Sequence, residues 1–336
     1  MRRVAVLGSG SWGTAFAGVL ADAGGDQVQV VVHGRRPALA QAINRDHVNA
    51  EYLPGRVLPG SVRATTDAED ALTGADLVVL AVPSQTLRDN LTGWAPLLPA
   101  HGPVVSLMKG IENGTGLRMS EVVTQVGGVD PERVAVLSGP NLAREIADRQ
   151  PAASVIASAS HDTADVVAAA VATPYFRPYT ETDVVGTELG GAMKNVVALA
   201  VGLAEGLGYG DNTKASIITR GLAETARLGA ALGADPATLM GLAGVGDLIA
   251  TCMSPLSRNH RFGVSLGRGM TPEEALVATG QTAEGVRTCR SVVELAGRHG
   301  VDVPISAGIT AVLEEGVDPR ELADALMSRA RKHERQ

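Results

Sequence analysis

Between Val4 and about Tyr179, short runs of β-branched and aliphatic residues alternate with longer segments whose apolar positions recur every three or four residues. That alternation predicts a mainly parallel sheet covered by helices on both faces. Candidate strands lie at 4–7, 28–33, 77–82, 104–107, 134–137 and 153–157. The run Leu77-Val78-Val79-Leu80-Ala81-Val82 is apolar at every position, as a strand buried on both faces requires, and Pro83 then stops it. After about Asp183 the Val and Ile clusters give way to Ala, Gly and Leu at helical spacing. Helices are expected at 189–207, 214–232, 237–252, 272–279, 287–299 and 321–333, with the basic stretch 329–336 as a solvated helix end.

Composition changes this picture only in part. A chain of 336 residues exceeds the usual single domain, and about 150 residues per domain implies two. The division suggested by the pattern is 1–184 for the sheet and 185–336 for the helices. Aromatics are 3% of the chain, so both cores must be filled by Ala, Val and Leu, with 40 glycines permitting tight turns and close contacts. A net charge of −7 offers no general attraction to nucleic acid or anionic membranes; an anionic ligand must be caught by local clusters. Cys252 and Cys289 stand outside any CxxC pattern, which fits buried thiols in a reducing compartment and suggests neither a disulfide framework nor a metal site. The apolar run after Met1-Arg2-Arg3 ends at Gly8, too soon for a signal peptide, and 189–207 carries Lys194 and Glu205. A cytoplasmic protein without membrane insertion is expected, and the apolar helices of the second half suggest a homodimer.

Gly8-Ser9-Gly10-Ser11-Trp12-Gly13 follows the first strand and precedes a periodic apolar segment with Ala15, Phe16, Val19 and Leu20, the context in which a GxGxxG string binds a dinucleotide. Gly8 serves the tight turn, Gly10 the approach of backbone amides to a pyrophosphate, and Gly13 the helix-to-strand packing. The fold class is therefore α/β: an N-terminal doubly wound Rossmann sheet with a C-terminal all-α domain. An acid that would bind the ribose hydroxyls of NAD is missing at the end of the second strand, which reads His33-Gly34-Arg35-Arg36. Guanidinium groups match a 2′-phosphate, so NADP(H) is expected, with NAD(H) as the alternative.

Candidate chemistry lies further along. Lys109 follows a strand, where ligand residues of open α/β sheets gather, yet such a lysine also suits the surface. Ser138-Gly139-Pro140-Asn141 ends another strand, as ligand site or plain turn. Lys194 leads into Val196-Val197-Ala198-Leu199-Ala200-Val201, too apolar for the surface, so it either snorkels or takes part in proton exchange with a burial-lowered pKa. Asp247 is a lone charge in apolar company, or a helix N-cap. Ser257-Arg258-Asn259-His260-Arg261 combines a hydroxyl, guanidiniums and an amide, the groups that hold a phosphate.

In this order, these segments resemble the bacterial type of NAD(P)-dependent glycerol-3-phosphate dehydrogenase. The resemblance also runs through Val82-Pro83-Ser84, Met193-Lys194-Asn195, Gly210-Asp211-Asn212-Thr213-Lys214-Ala215, Ile218-Thr219-Arg220-Gly221, Gly246-Asp247-Leu248 and Glu284-Gly285, over nearly the whole chain. It departs from the family pattern at Leu142, where Phe is common, and at Gln281-Thr282-Ala283, which is more polar than usual. The resemblance implies reversible reduction of dihydroxyacetone phosphate to sn-glycerol 3-phosphate for glycerophospholipid synthesis, with Lys194 as proton donor and acceptor. It places Ser11, Trp12, Arg35, Arg36, Lys109, Ala143, Arg258 and Glu284 at the cofactor, and Lys109, Gly139, Asn141, Lys194, Asp247, Ser257, Arg258 and Asn259 around the substrate. Another dehydrogenase of the 6-phosphogluconate or ketopantoate kind is one rival; a catalytically silent dinucleotide sensor is the other.

Overall fold

The computed structural model describes residues 1–280 and 283–328. Eight strands form one sheet: β1 (Arg3–Leu7), β2 (Gln29–His33), β3 (Val62–Thr65), β4 (Leu77–Leu80), β5 (Val104–Ser106), β6 (Val134–Ser138), β7 (Ala152–Ser158) and β8 (Phe176–Glu181), in the order β3-β2-β1-β4-β5-β6-β7-β8. All neighbours pair in parallel except β6 and β7, where Ala135 faces Ser158 in antiparallel register. The all-apolar strands divide their side chains between two cores because successive residues point to opposite faces. Val4, Val6, Val30, Val32, Leu77 and Val79 pack on one face. Ala5, Leu7, Val31, Val78 and Leu80 pack on the other.

Two strands were not anticipated. Both β3 and β8 lie at the sheet's edges. β3 has only four residues. β8 carries Pro178 and is largely solvent-facing, which an edge strand tolerates and a central one does not.

From Val184 onward the described residues hold no strand. A 23-residue helix, Val184–Gly206, forms the axis of this half and is buried along nearly its whole length. It and the run Pro236–Met253 are long and apolar enough to cross a membrane, but 89% of the first window is buried inside the protein. Its apolar side chains are thus committed to tertiary packing. Small residues let backbones approach: a Cβ on Gly202 or Gly206 would collide with the helix Arg258–Gly267, and one on Gly263 or Gly267 would collide with the central helix in return. The helices Arg258–Gly267 and Pro304–Glu314 were not expected. The helix anticipated at 237–252 is broken into Pro236–Leu239, a π-helical turn Leu242–Gly246, and Asp247–Met253. At the break the backbone packs closely on itself, so that a Cβ on Gly244 would overlap the Leu239 carbonyl. The last described helix is Pro319–Met327; the expected basic end at 329–336, like Thr282, lies outside the described residues.

Candidate active site

The order of the sheet reverses between β1 and β4, and in doubly wound folds ligands bind at the carboxyl ends of strands at this point. Gly8, at φ 132°, turns the chain here; a Cβ would strike the Ala81 carbonyl just beyond β4. Gly13 packs equally closely on the Gly8 carbonyl, whereas a Cβ on Gly10 would meet nothing within 4 Å. The helix Ser11–Gly24 starts with Gly10 as its cap, with no side-chain hydrogen bond and no acid in its first turn. Its leading amides and the open space at Gly10 together make a cradle for an anionic pyrophosphate. The Trp12 indole Nε1, beside it, is buried without a partner. These features fit a dinucleotide, and they place Gly8, Gly10, Ser11, Trp12 and Gly13 at one turn.

Arg35 and Arg36 are exposed past the end of β2. Arg36 donates through one guanidinium nitrogen to both carboxylate oxygens of Glu51 at 2.5 Å and lies over the Tyr52 ring, 4.9 Å from its centroid. Segment 49–52 is itself fastened to the glycine turn. The Asn49 amide donates to the Ser9 carbonyl at 2.9 Å and to Thr14 Oγ1 at 2.7 Å, and Ser11 Oγ donates to the Tyr52 carbonyl at 2.8 Å.

Across the strand ends lies the charged centre. Lys194, midway along the central helix and 9% exposed, donates to Asp247 Oδ1 at 2.5 Å and to Thr251 Oγ1 at 2.8 Å. Lys109, from the loop after β5, donates to Asp247 Oδ2 at 2.5 Å and to the Gly139 carbonyl at 2.9 Å. Asp247 thus bridges two ammonium groups while only 1% exposed. It is the first residue of its helix, and Gly246 rather than Asp247 occupies the cap position. Burial alone would raise its pKa, but Lys109 and Lys194 outweigh this and hold it below the ordinary value. Burial pulls Lys109 down to about 8, aided by the like charge of Lys194 and resisted by Asp247. Each ammonium has three N–H bonds and spends two on the protein, leaving one for a ligand.

The neighbouring candidates connect to this centre through amides. Asn195 donates to the Lys109 carbonyl at 3.1 Å and accepts from Asn259 Nδ2 at 2.8 Å; Asn259 Oδ1 in turn accepts from the Gly285 amide at 3.0 Å. Glu284 accepts from Ser84 Oγ at 2.7 Å, joining the helix Glu284–Arg298 to the loop after β4. Asn141 accepts from Ser154 Oγ, and its own Nδ2 is buried without a partner. Ser257 caps the helix Arg258–Gly267 by accepting from the His260 amide at 3.3 Å, and Arg258 is exposed in its first turn. Ala143 stands apart: it opens the short helix Ala143–Ala147, which packs on the helix Ser11–Gly24. Thr251 and Glu51 were not singled out from sequence, and Asn195 and Ser84 entered only within the strings Met193-Lys194-Asn195 and Val82-Pro83-Ser84. Thr251 had a signal, since it lies one helical turn after Asp247.

Comparisons with known proteins agree over both halves. Residues 3–164 match the family model described as NAD-dependent glycerol-3-phosphate dehydrogenase N-terminus, and 183–324 match its C-terminus. The chain is 60% identical over 333 residues to the glycerol-3-phosphate dehydrogenase [NAD(P)+] of Streptomyces griseus, covering 99% of this chain and 98% of that one. It is 58% identical over 335 residues to the protein of that name from Thermobifida fusca, covering 100% and 99%. The crystal structure of glycerol-3-phosphate dehydrogenase from Coxiella burnetii superposes with a TM-score of 0.92 at 36% identity, covering 98% of this chain and 99% of that one. With a glycine turn of dinucleotide type in one half and two lysines meeting a buried aspartate at the seam with the other, the chain belongs to the NAD-dependent glycerol-3-phosphate dehydrogenase family.

Proposed function

We propose that the protein reversibly reduces dihydroxyacetone phosphate to sn-glycerol 3-phosphate, using NADP(H) and also NAD(H). The observation that carries the mechanism is the Lys109–Asp247–Lys194 bridge, which sets two ammonium groups around a single buried carboxylate. When bound, the nicotinamide supplies the hydride to the carbonyl carbon, or accepts it in reverse. Lys194 directs its remaining N–H at the carbonyl oxygen, stabilises the developing alkoxide and protonates it; in oxidation its neutral amine takes the hydroxyl proton. Asp247 and Thr251 orient Lys194. Lys109, held by Asp247 and Gly139, adds a second positive charge, and Asn141 offers its unpartnered amide. Arg258, with Ser257 and Asn259 at the start of its helix, anchors the phosphate, while Glu284 and Ala143 line the cofactor side.

In this reading residues 1–184 hold the dinucleotide and 185–336 bring most of the substrate groups. The enzyme works as a homodimer in the cytoplasm and feeds glycerophospholipid synthesis. Exposed Met240, Ile249, Met253 and Leu256 support self-association, and light scattering should return twice the chain's mass. One spectrophotometric assay tests the function. Dihydroxyacetone phosphate should oxidise NADPH and NADH, and unphosphorylated dihydroxyacetone should do so poorly. Equal turnover of the two ketones would remove the phosphate anchor; no turnover with the phosphorylated one would remove the reaction.

A further inference from the structure

We infer that Glu51 is the residue that lets one site accept both cofactors, acting as the ribose-binding acid for NAD(H) and stepping aside from Arg36 for NADP(H). The inference rests on reading the glycine turn as the dinucleotide site. Dehydrogenases of this fold normally carry an acid at the end of β2 to hold the ribose hydroxyls, and that position here reads His33-Gly34-Arg35-Arg36. A carboxylate nevertheless stands at that place. Glu51 comes from the segment 49–52, which Asn49 and the Tyr52 carbonyl tie to Ser9, Thr14 and Ser11 of the glycine turn. Its side chain lies against Arg36 at 2.5 Å, so acid and base sit side by side where the adenosine ribose is bound in this fold.

The two groups answer opposite needs. A 2′-phosphate takes up the Arg36 guanidinium and repels the Glu51 carboxylate, so the ion pair must open. A 2′-hydroxyl has a proton to donate and no charge, so it is bound by Glu51 while the pair stays closed. The opening is inexpensive because Arg36 and Glu51 are 45% and 54% exposed, and exposed pairs contribute little. The Tyr52 ring under Arg36 keeps the guanidinium in place when the carboxylate leaves.

The test is direct binding of NADP+ and NAD+, measured by calorimetry without substrate, to the wild-type protein, Glu51→Gln and Arg36→Gln. Glu51→Gln should bind NADP+ more tightly and NAD+ more weakly, moving the ratio of dissociation constants by up to about fivefold towards NADP+, the scale of an exposed charge pair. An unchanged ratio, or both constants moving together, overturns the inference. Arg36→Gln separates the two levels of argument. If it weakens NADP+ while Glu51→Gln moves nothing, only the role of Glu51 fails; if it leaves NADP+ untouched, the placement of the ribose fails with it. Glu51 is exposed and caps no helix, so a folding defect does not confound the comparison.

Discussion

Lys109 and Lys194 share the Asp247 carboxylate, so the charge on Lys109 bears directly on the field at the centre. With its pKa pulled down to about 8, Lys109 is protonated below that pH and loses its charge above it. Reduction needs positive charge at the developing alkoxide. On the proposed mechanism, kcat/KM for reduction therefore falls as pH rises through about 8, and Lys109→Arg, which keeps its charge, shifts that limb to higher pH. A wild-type profile that stays flat across this range rules out Lys109. Lys194→Ala should lose at least about a hundredfold in kcat, the scale of a missing general acid, with NADPH affinity kept. Arg258→Ala should appear in the KM for dihydroxyacetone phosphate. Lys194 and Asp247 were visible in the sequence as charges in apolar company, and Lys109 as a charge just past a strand. Their meeting was not, because Lys109, Lys194 and Asp247 come from three segments that no local pattern links.

At the scale of elements, the central helix shows why its partner was missed. Val184–Gly206 has enough Ala, Val and Leu to be recognised as a helix, but Arg258–Gly267 begins with Arg-Asn-His-Arg and includes two glycines. It is held by backbone proximity, Gly202 and Gly206 against Gly263 and Gly267, with only Phe262 and Leu266 adding apolar packing beside Leu199 and Leu203. A methyl group there meets main-chain atoms that cannot rotate away. Gly263→Ala should cost about 3 kcal/mol, at the upper end of typical overpacking, and lower the midpoint of thermal unfolding by several degrees. Unchanged calorimetry would mean that the two helices can separate freely. The same geometry positions the site: this contact sets where Ser257, Arg258 and Asn259 stand relative to Lys194.

At the scale of the whole molecule, the two halves are joined by polar groups. Glu188 of the central helix is 5% exposed and accepts from the Ser120 amide at 2.8 Å, from Ser120 Oγ at 2.6 Å and from Arg118 at 2.9 Å. Burial raises its pKa against these three stabilising donors. Removing the carboxylate strands the donors, so Glu188→Ala should destabilise by about 3 kcal/mol. Calorimetry checks this, and an unaltered transition would show that the joint is held by apolar packing alone. The clasp between Ser84 and Glu284 joins the halves at a second place.

The sequence by itself determined the sheet-forming and helical halves, the glycine turn, and the charged residue types that the proposed mechanism employs. These are local properties: period, turn chemistry and charge set against apolar neighbours. Tertiary structure decided which charges meet. It decided that Asp247 serves two lysines instead of a helix cap, and that Asn259 extends an amide chain towards Lys109. It also brought Glu51 against Arg36, past the end of β2. The contacts of Asp247 and Asn259 depend on chain segments folding back over 53 to 138 residues, which packing fixes and no window of sequence contains.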